Sequence, residues 1–352
     1  MPIWEPRIEG AACIRKAPAP ILTKHDIPYE AEFIFNAGVA KHNGEYVMIF
    51  RNDCGATEQE YARREKGLTK TSIGIATSKN GIDNWQVKER PLVAFDFTTS
   101  PAKNVLGTPD LPRTKRLYDP RITVIDGEIY LCLAMDTDYG VRGCIARLSP
   151  DYESYEIISA TAPDNRNMVL FPEKINGCYV RLERPFPVYG KGNSTKFDIW
   201  LSKSPDLKFW GESTVLLAAD SVPFANDKIG PAAPPVKTKY GWLTTFHGVD
   251  IEKEGRGQTT WEHWWNKRYC AGIMLLDLED PTRIVGMSKK PLIVPELPFE
   301  ADEGFRQNVI FPGGMILEED GEVKIYYGGA DSVVCVATST VDELAALCTE
   351  QP

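Results

Sequence analysis

The sequence predicts an all-β protein, a five-bladed β-propeller with loop insertions and a short C-terminal helix. Three observations support this fold class. Glycine (28 residues) and proline (26 residues) are frequent, and apolar residues seldom recur at helical spacing. Short runs of β-branched and aromatic residues alternate with turn residues along the chain. One hairpin pattern also recurs five times, which two packed sheets would not explain.

Each repeat starts with a small or proline-containing stretch, continues as an apolar strand to a turn, and returns in a second strand. Asn-Gly and Asp-Gly favour such hairpins, because both central residues of a type I′ turn need positive φ. The five turns are Asn43-Gly44, Asp126-Gly127, Asn176-Gly177, Tyr240-Gly241 and Asp320-Gly321. A further strand pair follows each hairpin, so each unit of about four strands is expected to form one blade.

Two insertions interrupt the repeats. Residues 56–71 are rich in Glu, Arg and Lys and predict a charged helix or lid. Residues 251–268 contain the three tryptophans Trp261, Trp264 and Trp265. Residues 341–347 predict a short helix that closes the chain. Because the repeats continue along the chain, we expect residues 1–352 to form a single domain.

The composition argues against several kinds of binding partner and cellular location. The chain carries 40 Lys and Arg against 49 Asp and Glu, a net charge of −9, which argues against nucleic acid or an anionic membrane as main partner. No apolar run approaches the roughly 20 residues of a membrane helix, and the N-terminus lacks a signal-peptide pattern. The eight cysteines form no CxxC pair, which favours free thiols in a reducing cytoplasm.

Strand ends near the axis of a propeller converge on one central site. The chemistry-bearing residues at such positions are Asn36, Arg51, Asp119, Arg121, Arg166, Lys174, Arg184, Lys228, His247 and Asp331. In an acidic protein this set is a cluster of cations with two isolated carboxylates. Any single arginine could pair with a carboxylate inside its blade. Several arriving together favour an anion site, because the planar guanidinium suits phosphate and lysine adds a point charge.

Asp119 stands at the start of the second blade, in Tyr118-Asp119-Pro120-Arg121. Pro120 favours an extended conformation for the residue before it. A carboxyl there can be a general acid if its pKa is raised, or it can cap a turn, and the residues leave both open. There is no P-loop, GxSxG or HExxH motif, and no ligand set indicates a metal. We therefore expect no cofactor.

Several linked motifs resemble glycoside hydrolase family 130. They span about Asn36 to Asp331 and comprise Tyr118 to Ile122, Leu170 to Gly177, Arg184-Pro185, the segment from Lys228 to His247-Gly248, and Tyr326 to Asp331. The family consists mainly of inverting β-mannoside phosphorylases built on a five-bladed propeller. The resemblance implies that Asp119 is the general acid, acting through the 3-hydroxyl of the non-reducing mannose.

The resemblance also assigns binding residues. Phosphate is expected at Arg166, Arg184, Lys228 and His247, and the cleaved mannose at Asn36, Arg51 and Asp331. Tyr118, where many members have glutamate, is expected to affect contacts with the substrate. The implied reaction converts β-1,2-mannobiose or a short β-mannooligosaccharide and inorganic phosphate into α-D-mannose 1-phosphate and a shortened sugar.

Three alternatives stay open. The substrate can be β-1,4-linked; the same fold can be an inverting hydrolase with a base such as Asp331; or the propeller can bind sugars without catalysis. A hydrolase needs a second carboxylate to activate water, whereas phosphate is already an anionic nucleophile, so the basic set favours phosphorolysis.

The tryptophans of residues 251–268 can stack on a sugar or pack a blade or subunit contact. A homo-oligomer through either insertion is compatible with the sequence.

Overall fold

The computed structural model describes residues 8–98, 114–187, 196–251 and 267–350. The first ten strands are β1 (Arg15–Lys16), β2 (Phe33–His42), β3 (Glu45–Cys54), β4 (Lys70–Ser78), β5 (Gln86–Val87), β6 (Val93–Asp96), β7 (Thr114–Ile125), β8 (Glu128–Thr137), β9 (Gly140–Leu148) and β10 (Tyr155–Ala160). The following strands are β11 (Asn165–Leu170), β12 (Tyr179–Pro185), β13 (Ile199–Ser204), β14 (Gly211–Leu217), β15 (Lys228–Pro231), β16 (Val236–Thr238), β17 (Gly241–Ile251), β18 (Lys267–Leu276), β19 (Ile284–Met287), β20 (Ile310–Leu317), β21 (Glu322–Gly329) and β22 (Val333–Thr340). The helices are α1 (Glu58–Ala62), α2 (Pro298–Ala301) and α3 (Val341–Thr349), with 3₁₀ turns at Lys24–Asp26 and Ala219–Ser221.

These strands form five antiparallel sheets, one per blade, which confirms the predicted propeller. The sheets run β2-β3-β4-β5, β7-β8-β9-β10, β11-β12-β13-β14, β15-β17-β18-β19 and β20-β21-β22-β1; β6 also pairs with β4, and β16 with β17. The first strand of each blade contacts the neighbouring blades, for example β2 against β7 and β20. The early strand β1 completes the last blade, pairing Arg15 with Thr338. The pairing of β1 with β22 therefore closes the ring.

The hydrophobic core lies between neighbouring blades. In β3, Val47 and Ile49 pack with the second blade, whereas Met48 and Phe50 pack with residues of the fifth. Successive side chains of a strand point to opposite faces, so a strand between two blades buries both of its faces. This explains why the inner strands are continuous apolar runs.

The predicted hairpins form, but their turns are of two kinds. In the first three, both turn residues have positive φ, as in Asn43 (50°) and Gly44 (76°). At Tyr240-Gly241 and Asp320-Gly321 only the glycine has positive φ. The type I′ expectation for Asn-Gly and Asp-Gly turns is therefore right for three of the four and wrong for Asp320-Gly321. There, as at Tyr240-Gly241, glycine alone supplies the left-handed residue.

The predicted insertions are described only in part. Residues 56–71 contain the single short helix α1, capped by Thr57, whose hydroxyl accepts from the Glu60 N–H while the Glu60 carboxylate accepts from the Thr57 N–H. Trp261, Trp264 and Trp265 lie outside the described residues. The C-terminal helix α3 is confirmed, with the same capping box between Thr340 and Glu343. Within the described ranges, every helix is too short or too polar to cross a membrane.

Candidate active site

Three inner strands break their regular pairing at the same level of the propeller. The breaks fall between Phe35 and Gly38, between Tyr118 and Arg121, and between Arg166 and Val169. Each bulge holds one left-handed residue, namely Asn36 (φ 50°), Asp119 (54°) and Asn167 (58°). Asn and Asp tolerate this conformation better than other residues with a side chain. The extended conformation expected for Asp119 is therefore wrong, because the bulge outweighs the preference that Pro120 imposes.

The bulges present these side chains to one pocket at the axis. Its lining comprises Asn36, Arg51, Asp119, Arg166, Asn167, Arg184, His247, Tyr269, Arg306, Val309, Phe311 and Asp331. Seven predicted site residues are thereby brought together: Asn36, Arg51, Asp119, Arg166, Arg184, His247 and Asp331. Lys228 lies beside them, with its Nζ 5.5 Å from the centre of the Tyr269 ring.

The Asp119 side chain, 9% exposed, lies among groups that favour its charged form. Its Oδ1 accepts from Asn36 Nδ2 at 2.9 Å and from Arg51 Nη1 at 3.0 Å. Burial alone would raise the pKa of Asp119, but Arg51, the Asn36 hydrogen bond, Arg121 and Arg166 together lower it to about 2. The carboxyl is therefore ionised at neutral pH, so the raised pKa that a general acid would need is not present in this structure.

Arg51 is fixed on all sides. Its Nε donates to Asp53 Oδ1 at 3.0 Å, and its guanidinium lies 4.6 Å from the Phe35 ring centre and 4.9 Å from that of Tyr118. The Tyr118 hydroxyl donates to Asp136 Oδ1 at 2.8 Å, and Tyr118 is only 3% exposed. Tyr118 thus lies behind Arg51 and outside the pocket lining. Its geometry suits holding Arg51 in place.

The opposite end of the pocket carries the basic residues. Arg184 Nη1 lies 3.1 Å from His247 Nε2. Since arginine can only donate, Nε2 accepts, and the ring proton of a neutral His247 is on Nδ1. Burial, with Arg184 and Lys228 nearby, lowers the pKa of His247 well below its usual value, so the ring is neutral. His247 Nδ1, Arg166 Nε and Arg184 Nε have no hydrogen-bond partner among the described residues.

Nearby acids compensate the charge of this end only in part. No carboxylate of the described ranges lies within ion-pair distance of Arg166 or Arg184, and the Lys228 Nζ is 3.8 Å from Asp227 Oδ2. Burial, followed by Lys267 and Arg184, lowers the pKa of Lys228 to about 7. Burial and then Arg166 lower the pKa of Arg184 to about 9. Largely buried cations with so few acidic partners are costly, so their clustering indicates a site for an anion.

Asp331 also lines the pocket. It is left-handed (φ 50°), and its Oδ2 accepts from Arg306 Nη1 at 3.2 Å. Burial is the largest cause of the raised pKa of Asp331. Asn36, Arg51, Asp119 and Asp331 together offer hydrogen-bond donors and acceptors of the kind that bind sugar hydroxyls.

Besides Tyr118 and Lys228, two further candidates from the sequence do not line the pocket. Lys174 is exposed, with its Nζ 4.5 Å from the centre of the Tyr179 ring. Arg121 is buried and donates to backbone carbonyls. Conversely, Asn167, Tyr269, Arg306 and Phe311 line the pocket and were not predicted. Asn167 could have been found by aligning its bulge with those of Asn36 and Asp119, whereas the others carry no comparable sequence signal.

Comparisons with known proteins identify the family. The model of glycoside hydrolase family 130, described as beta-1,4-mannooligosaccharide phosphorylase, matches residues 18–350. A 1,2-beta-oligomannan phosphorylase from Thermoanaerobacter sp. strain X514 is 31% identical over 323 residues, which are 90% of this chain and 93% of the relative. A beta-1,4-mannooligosaccharide phosphorylase from Ruminococcus albus is 29% identical over 333 residues, covering 92% and 87%. The structure of the beta-1,2-mannobiose phosphorylase of Listeria innocua with beta-1,2-mannobiose superposes with a TM-score of 0.74 at 25% identity, covering 95% and 99%.

The family match covers nearly the whole chain, and the motifs from which the resemblance was inferred meet in the axial pocket, apart from the hairpin of residues 170–177. The chain belongs to glycoside hydrolase family 130.

Proposed function

We propose that the protein is a phosphorylase that cleaves a β-mannoside with inorganic phosphate and releases α-D-mannose 1-phosphate. The observation that carries this proposal is the cluster of cations that shares a pocket with the Asp119 carboxyl: Arg166 and Arg184 line the pocket, have no carboxylate within ion-pair distance in the described ranges, and have Lys228 beside them. Family membership and the named activities of the relatives support β-mannosides as substrates. Phosphate is the only co-substrate in this proposal, and the reaction is placed in the cytoplasm.

In this mechanism the terminal mannose lies against Asn36, Arg51 and Asp331. Arg166, Arg184, Lys228 and the Nδ1–H of His247 hold the phosphate, with its charge neutralised and one oxygen aimed at the anomeric carbon. That oxygen forms a bond to the anomeric carbon from the face opposite the leaving sugar, whose glycosidic bond breaks. The leaving oxygen takes a proton, which Asp119 supplies through the mannose 3-hydroxyl as the family resemblance implies.

The low pKa of Asp119 means that its proton must arrive when substrates bind. The cations that stabilise the carboxylate include Arg166, which belongs to the phosphate end. A bound phosphate anion offsets that positive charge and so raises the proton affinity of Asp119. A phosphate monoanion also carries a proton that the carboxylate can accept. Substrate binding therefore favours the protonated form of Asp119, which is the form that acts as an acid.

For the linkage, we favour β-1,2-mannobiose or a short β-1,2-mannooligosaccharide. This choice is supported by the relatives named for 1,2-linked substrates, at 31% and 27% identity. The Ruminococcus relative, named for 1,4-linked substrates, is 29% identical and keeps the β-1,4 alternative in the test.

The test is a product assay with β-1,2- and β-1,4-mannobiose, each with and without inorganic phosphate. Mannose 1-phosphate formed only with phosphate is the expected result, with the 1,2-linked sugar consumed faster. Free mannose released at the same rate without phosphate would overturn the proposal in favour of a hydrolase. Saturable sugar binding without turnover would instead indicate a non-catalytic propeller.

Replacing Lys228 with arginine should change the pH dependence of phosphate use. The pKa of Lys228 is lowered to about 7, so the lysine is charged below that pH and loses its charge above it. We therefore expect kcat/KM for phosphate to fall as pH rises above 7. Lys228→Arg stays charged throughout, so its fall should begin at higher pH.

The measurement compares the alkaline limbs of kcat/KM for phosphate between pH 6 and 9. The ionisation of phosphate itself acts equally on both enzymes, so their difference isolates Lys228. Lys237→Arg is the control, because this exposed lysine pairs with Glu173 away from the pocket. Superimposable limbs for Lys228→Arg and the parent protein would contradict the assignment.

Gly230→Ala should weaken phosphate binding through crowding. A Cβ at residue 230 would lie 2.4 Å from His247 Cε1, 2.8 Å from its Nε2 and 3.1 Å from Arg184 Cδ. Since the added methyl must displace the His247 ring, we expect KM for phosphate to rise about 10-fold or more, with little change in KM for the sugar. Gly211→Ala is the matched control, because a Cβ there meets nothing within 4 Å. Equal KM values for phosphate in the two variants would refute this prediction.

A further inference from the structure

Arg121 joins three blades below the pocket. Its Nε donates to the Ala232 carbonyl at 2.6 Å, its Nη1 to the Pro120 carbonyl at 3.0 Å, and its Nη2 to the Pro312 carbonyl at 3.3 Å. These carbonyls belong to the fourth, second and fifth blades, respectively. Pro120 directly follows Asp119, so one of the three bonds holds the bulge that presents the carboxyl.

The Arg121 guanidinium lies just outside the pocket, against the ring of the lining residue Phe311. Its centre is 5.2 Å from the centre of the Phe311 ring, which also lies against the His247 ring at 4.6 Å. Phe311 and His247 both line the pocket, so Arg121 is one aromatic ring away from it. Close packing around Arg121 depends on glycine, since a Cβ at Gly38 would lie 3.0 Å from the Arg121 Cα.

The charge of Arg121 has no carboxylate within ion-pair distance in the part of the chain that the structure describes. The residue is 1% exposed, and burial lowers the pKa of its guanidinium to about 10, which leaves it charged at neutral pH. Three carbonyls satisfy its hydrogen bonds but not its charge. Asp119, two residues earlier on the same strand, is the carboxylate that stabilises that charge.

We propose that Arg121 is a positioning residue for Asp119: it locks the left-handed bulge from below and at the same time places a buried positive charge two residues from the carboxyl. This inference rests on the proposed phosphorolysis and adds a residue that acts only through Asp119. A purely structural link between blades would need the hydrogen bonds but not the positive charge. The two roles are therefore separable by experiment.

The experiment compares Arg121→Met, Arg121→Gln and Arg121→Lys in the full chain. Removing the positive charge raises the pKa of Asp119, so an acid that must be protonated works up to a higher pH. We expect kcat to fall about 10-fold or more in the Met and Gln variants, with the alkaline limb of kcat moved to higher pH. Arg121→Lys restores the charge and should return the limb to the position of the parent protein.

The control is Arg142→Met, because Arg142 also donates to backbone carbonyls, those of Ala160 and Thr161, but lies outside the pocket on the same blade. Its alkaline limb should not move. If Arg121→Met does not fold, as judged by cooperative thermal unfolding, the Gln and Lys variants make the same comparison. If Arg121→Met or Arg121→Gln folds and keeps the alkaline limb of kcat of the parent protein, the inference is wrong. The proposed phosphorolysis would be unaffected by that result. A parent protein without phosphate-dependent turnover would overturn both.

Discussion

Asp119→Asn is expected to lower kcat for β-mannobiose by about 10²- to 10⁴-fold, the usual contribution of a positioned general acid. The variant should fold normally, because asparagine also accepts the left-handed conformation that Asp119 adopts. Its side-chain oxygen can still accept from Asn36 and Arg51, so KM for the sugar should change little. What the amide cannot do is deliver a proton to the departing sugar.

The measurement is steady-state phosphorolysis of mannobiose and of an aryl β-mannoside with a good leaving group. An aryl group leaves without protonation, so the variant should lose far less activity on it. Asp126→Asn is the matched control: it is the same substitution in the same blade at another left-handed residue (φ 52°), in the hairpin turn. Equal losses with both leaving groups, or normal turnover of mannobiose, would show that Asp119 is not the acid.

The propeller could be predicted because its signals are local. The turn at Asn43-Gly44, for example, and the apolar strands on both sides of it report directly on backbone conformation and burial. The pairing of β1 with the last blade could not be predicted, since a strand of two residues, Arg15–Lys16, has no detectable pattern. Closure of the ring depends on contacts more than 300 residues apart, such as Arg15 with Thr338.

The site residues could be predicted by position but not by orientation. A bulge adds a residue to one strand and reverses the alternation of side chains beyond it. This is why Asp119 points into the pocket while Arg121, two residues on, lies beneath it. The charge state of Asp119 could not be predicted from the sequence either. Its pKa is lowered by Asn36 and Arg51, which belong to another blade and lie 83 and 68 residues away in sequence.

Arg184→Met is expected to lower kcat/KM for phosphate by about 10²- to 10³-fold, comparable to losing a preorganised donor for developing charge. Arg184 is 2% exposed, and its Nε is without a hydrogen-bond partner in the described residues. Its charge is opposed by burial and by neighbouring Arg166. Replacing it with an apolar side chain of similar length removes that cost. The thermal midpoint of the phosphate-free protein should therefore stay the same or rise.

Arg181, three residues earlier on β12, is the matched control with the opposite expectation. It is also buried, but its Nη2 lies 2.8 Å from Glu183 Oε2, so Arg181→Met leaves a buried carboxylate without its cation and should lower the midpoint. The measurement combines phosphate kinetics with thermal unfolding at increasing phosphate concentrations. Phosphate should stabilise the parent protein and Arg181→Met by binding the folded state, but not Arg184→Met. A destabilised Arg184→Met that still gains stability from phosphate would mean that Arg184 supports the fold and that the anion binds elsewhere.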